Sequence, residues 1–168
     1  MAAEPLEIRV GQALLQLGMT LAVAESCTGG LIGHRITNVA GSSIYFMGGV
    51  VSYSYDAKEH LLGVSHQTLY EFGAVSEQTA REMARGVRRA LGTDVGLAVT
   101  GIAGPGGGLP DKPVGLTWVA LSARDADRAR EFTWTSDRLG NKTQSAEAAL
   151  ALLADYLQGL PANAGARP

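Results

Sequence analysis

Cysteine, charge of one sign and long apolar runs are all scarce in this 168-residue sequence. The single cysteine, Cys27, excludes an internal disulfide and a multi-cysteine metal site. The net charge of −2 lacks the basic excess that is typical of nucleic-acid-binding proteins. No apolar run approaches the roughly 20 residues of a membrane span, and the N-terminal segment lacks the basic-then-apolar layout of a secretion signal. We therefore expect a cytoplasmic protein that binds neither nucleic acid nor membrane.

Size and composition predict one domain over residues 1–168. With 46% hydrophobic and 18% charged residues, the chain is apolar enough to fold around a core. Two domains would each be near the lower size limit for an independent core, and the sequence shows no repeat and no linker. The segment 161–168 is expected to be frayed. The 22 glycines exceed what a helical bundle needs, so their positions are informative.

Predicted strands and helices alternate along the first part of the sequence. Apolar, β-branched segments predict strands at residues 20–24, 48–54, 95–100, 114–122 and 130–134. Helical spacing and capping residues predict helices between the first three strands and a last helix over residues 142–157. The last two strands follow each other as a hairpin. This order predicts an α/β fold with three layers, α/β/α, and a mixed, mostly parallel sheet that takes an antiparallel member from the hairpin.

Glycine-bearing loops follow predicted strands at residues 26–30, at residues 101–108 and, less clearly, at residues 41–43. In open α/β sheets, ligands bind beyond the carboxyl ends of the strands. Two converging loops would present many backbone N–H groups, which suit an oxyanion or a phosphate. Neither of the two longer loops matches a P-loop or a dinucleotide-binding fingerprint. Ordinary tight turns are the alternative interpretation.

Ser26 is a candidate nucleophile at the turn between a predicted strand and a predicted helix. At this position a side chain is exposed and backbone donors lie close to the developing charge. Its neighbours do not form the Gly-x-Ser-x-Gly motif of the α/β-hydrolases. Cys27 is the competing nucleophile, and because the two residues are adjacent, only one of them can face a pocket. A lone cysteine is more often an inert part of the core.

A nucleophilic serine needs a base, and lysine is the main candidate here. The histidines lack an implied carboxylate partner and are interpreted as solvated surface residues: His34, His60 and His66. Lys58 follows a predicted buried strand, on a short helix that Asp56 is expected to cap, and burial there would lower the lysine pKa. Tyr53 could bridge serine and lysine. A solvated lysine and a packed tyrosine are the alternatives. No His, Cys, Asp or Glu cluster has metal-ligand spacing, so we expect no metal.

Six motifs, in order, carry a resemblance to a known family. They are Ala24-Glu25-Ser26-Cys27-Thr28-Gly29-Gly30, Ala40-Gly41-Ser42-Ser43, Tyr53-Ser54-Tyr55-Asp56-Ala57-Lys58, Gly73-Ala74-Val75-Ser76, Thr100-Gly101-Ile102-Ala103-Gly104-Pro105 and Lys112-Pro113-Val114-Gly115. From about residue 7 to residue 157 the chain resembles the CinA C-terminal domain family, which includes stand-alone nicotinamide-nucleotide amidases. Chance agreement over six separate motifs is improbable.

The resemblance implies a serine amidohydrolase that converts nicotinamide mononucleotide and water into nicotinate mononucleotide and ammonia. By motif position, the nucleophile is Ser26, the lysine is Lys58 and the assisting tyrosine is Tyr53. No cofactor is implied, the ligand is the nucleotide substrate, and the protein is expected to be a homo-oligomer, a dimer or higher. The alternative is a non-catalytic, nucleotide-binding accessory protein linked to competence or to the DNA damage response.

The same motifs imply the substrate contacts. The N–H groups around Thr28, Gly29 and Gly30 are expected to hold the oxyanion. Further substrate contacts, including those to phosphate or ribose, are expected from Ser43, Thr100, Gly101, Ala103 and Gly104. Three positions depart from the family pattern: Tyr55 stands where many relatives have asparagine, Ser136 stands where a glycine usually precedes Asp137-Arg138, and Lys142 stands where an arginine often occurs. Lysine cannot contact phosphate in the bidentate manner of arginine, which argues against such a clamp on the last helix.

Overall fold

A five-stranded sheet forms the centre of the computed structural model, which describes residues 4–161 and 164. Its strands are β1 (Leu21–Glu25), β2 (Phe46–Val51), β3 (Val95–Gly101), β4 (Leu116–Ser122) and β5 (Asp127–Thr133). They lie in the order β2-β1-β3-β4-β5. Of the segment 161–168, for which fraying is predicted, all but residues 161 and 164 lie outside the described part of the chain.

The sheet is mixed, as predicted. Strand β1 runs parallel to β2 and to β3, whereas β4 is antiparallel to both of its neighbours. Four strands thus point in one direction and β4 is the antiparallel member. Parallel pairings, however, are only two of the four and not the expected majority. The reason is that loops join β3, β4 and β5, without the helical crossovers that parallel neighbours need.

Helices cover both faces of the sheet, which confirms the three-layer α/β/α fold. They are α1 (Leu6–Leu17), α2 (Leu31–Thr37), α3 (Tyr55–Leu62), α4 (His66–Phe72), α5 (Glu77–Leu91) and α6 (Arg138–Gln158), with a 3-10 helix at Ser42–Ile44. Among the described residues, no helix is long and apolar enough to cross a membrane. Leu21 and Val23 of β1 face the core under α1, α2 and α6, while Ala22 and Ala24 face α3, α4 and α5. Alternation along the strand therefore supplies both cores from one segment.

Two helices begin at other residues than the sequence predicts, and both differences bear on the pocket described below. Helix α3 is capped by the side chain of Ser54 and not by Asp56, so it begins two residues earlier, at Tyr55. Helix α6 begins at Arg138 and not at residue 142, because the carboxylate of Asp137 accepts a backbone N–H at 2.8 Å and caps the helix there. The earlier start places Arg138 in the first turn of α6.

Close contact between α5 and β3 makes Gly96 sensitive to substitution. A Cβ at Gly96 would lie 2.1 Å from the carbonyl oxygen of Ala84 and 2.7 Å from the Cβ of Arg88. We expect Gly96→Ala to lower the free energy of unfolding by about 1–3 kcal/mol or more, measured by urea denaturation, because the packed helix must shift. Gly106→Ala is the matched control, since nothing lies within 4 Å of that Cβ position. Equal losses in the two variants would contradict the close packing.

Candidate active site

A cavity of about 200 Å³ lies at the carboxyl ends of β1 and β3. Ser26 follows β1 directly, and Thr100 and Gly101 end β3, so the parallel pairing of these strands brings both loops to one edge of the sheet. Further side chains line the cavity from the segment after β2, from α3 and from α6: Tyr53, Tyr55, Lys58 and Arg138. The two longer glycine-bearing loops therefore converge, as the sequence predicts.

The predicted serine and lysine are in contact. Lys58 Nζ donates to Ser26 Oγ at 3.0 Å and to the carbonyl oxygen of Ser52 at 2.6 Å. The strand pairing brings the two segments together. The N–H of Ser52 donates to the carbonyl of Glu25 at 2.9 Å, so the β1–β2 ladder continues to the residue before Ser26. Helix α3 then returns Lys58 to the end of β1.

Lys58 is buried without a counter-charge. The residue is 1% exposed, and no ion pair among the described residues includes it. Burial disfavours the ammonium form and lowers the pKa of Lys58 to about 8. At a pH near this value about half of the molecules carry a neutral lysine. Its nitrogen lone pair can then accept the proton of the Ser26 hydroxyl.

Cys27 does not compete with Ser26 for this base. The cysteine is buried in the core under α1, α2 and α6. Burial raises the pKa of its thiol to about 12, which keeps the sulfur protonated and weakly nucleophilic. Among the described residues, no group of His, Cys, Asp and Glu side chains is arranged to hold a metal ion.

Tyr53 lines the cavity but does not bridge serine and lysine. Its side chain is largely exposed, and its hydroxyl oxygen accepts a hydrogen bond from Arg138 Nη2 at 3.1 Å. In the described part of the chain it makes no hydrogen bond with Ser26 or Lys58, so the expected relay contact is absent from this arrangement. The lysine already reaches the serine directly.

Arg138 is a cavity-lining cation that the sequence analysis did not select. Its Nη1 donates to the carbonyl oxygen of Gly104 at 2.7 Å, while Nη2 donates to Tyr53. The guanidinium thus joins the β3–β4 loop to the segment after β2. The capping signal of Asp137 could have revealed it, because a helix that starts there places Arg138 on the first turn.

The side chain of Glu25 occupies the donors of the turn that follows Ser26. Its carboxylate accepts from Thr28 Oγ1 at 2.6 Å, from the N–H of Gly30 at 3.0 Å, from the N–H of Ile32 at 3.1 Å and from the N–H of Gly33 at 2.9 Å. Glu25 is itself 1% exposed. The carboxylate therefore replaces the missing intrahelical partners at the start of α2.

Because of this arrangement, two of the predicted oxyanion donors, the N–H groups of Gly29 and Gly30, are already engaged in hydrogen bonds. The N–H of Gly30 is bound to Glu25, and the N–H of Gly29 donates to the carbonyl of Ser26 at 3.1 Å, so neither is free for a ligand. The N–H groups of Cys27 and Thr28 donate to no other residue in the part of the chain that the structure describes. These two N–H groups, directly after Ser26, are the better candidates for an oxyanion, and of the two residues Cys27 lines the cavity while Thr28 does not.

The β3–β4 loop contributes backbone to the cavity. Gly101 and Ala103 line it, and the carbonyl of Gly104 anchors Arg138. Thr100 lines the cavity too, but its hydroxyl donates to the carbonyl of Ala74 at 2.7 Å. Its hydroxyl proton is therefore engaged in holding the segment before α5.

The fold does not bring Ser43 to the cavity. It lies in the 3-10 helix that precedes β2, next to the start of that strand. Because β1 and β2 are parallel and Phe46 pairs with Leu21, Ser43 lies near the amino end of β1, whereas Ser26 follows its carboxyl end. Ser43 therefore lies at the other end of the strands from the cavity and does not line it.

Fold and site together define a class: an α/β/α domain with a buried serine–lysine contact at the carboxyl ends of parallel strands. The model of the CinA C-terminal domain matches residues 3–157 of the sequence. The chain belongs to this family, which confirms the resemblance carried by the six motifs.

Individual relatives, both curated sequences and solved structures, support the assignment to this family. A CinA-like protein of Salinibacter ruber is 53% identical over 145 residues, which are 86% of this chain and 35% of that protein. The chain spans about a third of the length of the curated relatives it matches. Among solved structures, the competence/damage inducible protein CihA from Agrobacterium tumefaciens gives a TM-score of 0.88 at 41% identity, covering 94% of this chain and 99% of that one. A CinA superfamily protein from Klebsiella pneumoniae gives 0.89 at 34% identity, covering 92% and 97%.

Burial of Lys58 makes the stability of the protein depend on pH. Its pKa of about 8 in the folded state lies below the value of about 10.4 expected in the unfolded chain. Between these values the unfolded chain binds more protons, so the free energy of unfolding rises with pH. We expect Lys58→Met to be more stable than wild type below pH 8 and to lose this advantage toward pH 10. Urea midpoints from pH 6 to 10 measure the difference, and parallel curves would contradict a buried ammonium.

Proposed function

We propose that this protein is a serine amidohydrolase that hydrolyses the carboxamide of nicotinamide mononucleotide. The observation that carries the proposal is the 3.0 Å contact between Ser26 and a buried lysine whose pKa is lowered to about 8. A protein that only binds a nucleotide does not need such a pair. The choice of nicotinamide mononucleotide as the substrate rests on the six family motifs, because the family that they resemble includes nicotinamide-nucleotide amidases.

The first half of the reaction forms an acyl-enzyme. Neutral Lys58 takes the proton from the Ser26 hydroxyl as Oγ attacks the carboxamide carbon. The carboxamide oxygen becomes an oxyanion, which the N–H groups of Cys27 and Thr28 stabilise. When this intermediate collapses, the C–N bond breaks and the Lys58 ammonium returns its proton to the leaving nitrogen. Ammonia departs and an ester to Ser26 remains.

The second half of the reaction uses the same groups on water. Lys58 is neutral again once the proton has left with ammonia, so it can accept a proton from water that attacks the ester carbon. The same two N–H groups stabilise the second oxyanion. Collapse returns the proton to Ser26 Oγ and releases nicotinate mononucleotide. No step requires Tyr53 as a relay, since Lys58 reaches Ser26 Oγ directly.

The phosphate of the substrate needs a cation beside the cavity. Arg138 supplies one, because its guanidinium lines the cavity and is held by the carbonyl of Gly104 and the hydroxyl of Tyr53. Guanidinium groups suit phosphate through their planar, forked donors. In this proposal Tyr53 acts on the substrate through Arg138, and Gly101 and Ala103 form the wall beside the ribose.

Ammonia release from nicotinamide mononucleotide is the direct test. We expect the purified protein to release ammonia at a rate that rises with pH through about 8, because only the neutral lysine is a base. Ser26→Ala should abolish this activity. Lys58→Arg should lower kcat by about 10²–10⁴-fold, because a guanidinium keeps the charge but cannot accept the proton.

Cys27→Ala is the matched control for Ser26→Ala, since it removes a neighbouring side chain that takes no part in the proposed chemistry and keeps the backbone N–H of that residue. It should keep most of the activity. Loss of activity in Cys27→Ala together with an active Ser26→Ala would overturn the nucleophile. Tight binding of the nucleotide without ammonia release, in the wild type, would favour the non-catalytic accessory protein instead.

A further inference from the structure

Glu25 is a buried carboxylate that the proposed reaction does not use. It is the last residue of β1, directly before the nucleophile, and is 1% exposed. No ion pair among the described residues includes it. A buried charge without a cation needs hydrogen bonds in its place. Here four donors and no acceptor face the group, which is the environment of an ionised carboxylate.

The four donors all come from residues 28–33, so the carboxylate fixes the turn that carries Ser26. One oxygen accepts from Thr28 Oγ1 and from the N–H groups of Gly30 and Ile32, and the other accepts from the N–H of Gly33. With these donors engaged, the N–H groups left for a ligand are those next to the nucleophile. The position of Ser26 Oγ therefore depends on a side chain that does not touch it.

The same hydrogen bonds keep a negative charge away from Lys58. The backbone brings the two residues close, because the carbonyl of Glu25 accepts from the N–H of Ser52, whose own carbonyl accepts from Lys58 Nζ. The titratable or charged groups that line the cavity of Lys58 are Cys27, Tyr53, Tyr55 and Arg138, and none is a carboxylate. A carboxylate released toward the lysine would favour the ammonium and raise its pKa.

We propose that Glu25 is a positioning residue, which holds the Ser26 turn through four hydrogen bonds and thereby withholds its own charge from Lys58. It acts through other residues and does not contact the substrate. The proposal rests on the proposed function for the role of Ser26 as nucleophile. The effect of the Glu25 charge on Lys58 can be measured without any substrate, as a change in the pKa of the lysine.

Two variants of Glu25 distinguish the effect of its charge from the effect of its side-chain length. Glu25→Asp keeps the charge but is too short to satisfy the start of α2, so we expect the pKa of Lys58 to rise by about one unit. Glu25→Gln keeps the length but loses the charge, so this pKa should not rise. NMR titration of the lysine side chains measures the pKa of Lys58. The sequence has only three lysines, and the signal that is missing in Lys58→Met belongs to Lys58. Both variants should lower kcat by about 10²-fold through misplacement of Ser26.

Glu82 provides a matched control. It caps α4 in a similar manner, accepting from the N–H of Ser65 at 2.7 Å and from Thr68 Oγ1 at 2.7 Å, and it does not line the cavity. Glu82→Asp and Glu82→Gln should lower the melting temperature while kcat and the pKa of Lys58 stay at wild-type values. If one Glu25 variant does not fold, Thr28→Val removes a single donor and should shift the lysine pKa upward by a smaller amount.

The outcomes are distinct. A lysine pKa that is the same in wild type, Glu25→Asp and Thr28→Val, or that rises in Glu25→Gln, would overturn the proposal. So would a kcat that falls only as much as in the Glu82 variants. If the wild type releases no ammonia, the proposed function fails, and the lysine titration alone then decides whether Glu25 withholds its charge.

Discussion

A lysine buried beside a serine, with no carboxylate to balance it, is the constraint on which the site depends. Lys58 is held by two oxygen atoms, the hydroxyl of Ser26 and the carbonyl of Ser52, and neither carries a charge. Such an arrangement opposes folding whenever the lysine is protonated, so the surrounding structure must stabilise it. The parallel β1–β2 ladder and the cap at Ser54 do this by fixing both ends of the segment that carries Lys58.

The acidic and basic groups at this edge of the sheet are kept apart by backbone geometry. Glu25 and Ser26 are neighbours in a chain that leaves β1, yet the first side chain turns under α2 and the second turns toward Lys58. The N–H groups at the start of α2 therefore hold the Glu25 carboxylate, as Ser26 and Ser52 hold Lys58. This division of roles along two adjacent residues needs α2 directly behind the turn, which the order β1-turn-α2 supplies.

The sequence predicted the parts of the site that depend on element order and motif position. The strand-turn-helix pattern identified Ser26, and the motif after β2 identified Lys58, because both follow from where strands end. Other features depend on side-chain directions that no pattern records. Tyr53 was predicted to bridge the pair but binds Arg138, and Ser43 lies at the opposite end of the strands because β2 is parallel to β1. The fold class was correct, while the share of parallel pairings was overestimated because a loop replaces the crossover after β3.

Arg138 connects two segments that border the cavity through two hydrogen bonds. Its guanidinium donates to two uncharged oxygen atoms, a backbone carbonyl and a phenol. An incoming phosphate can replace either partner, because charge-assisted hydrogen bonds are stronger than neutral ones. An uncharged carboxamide offers an acceptor no stronger than the carbonyl to which Arg138 already donates. Entry of an anion would therefore loosen the connection between the loop after β3 and the segment after β2, because Arg138 holds both segments.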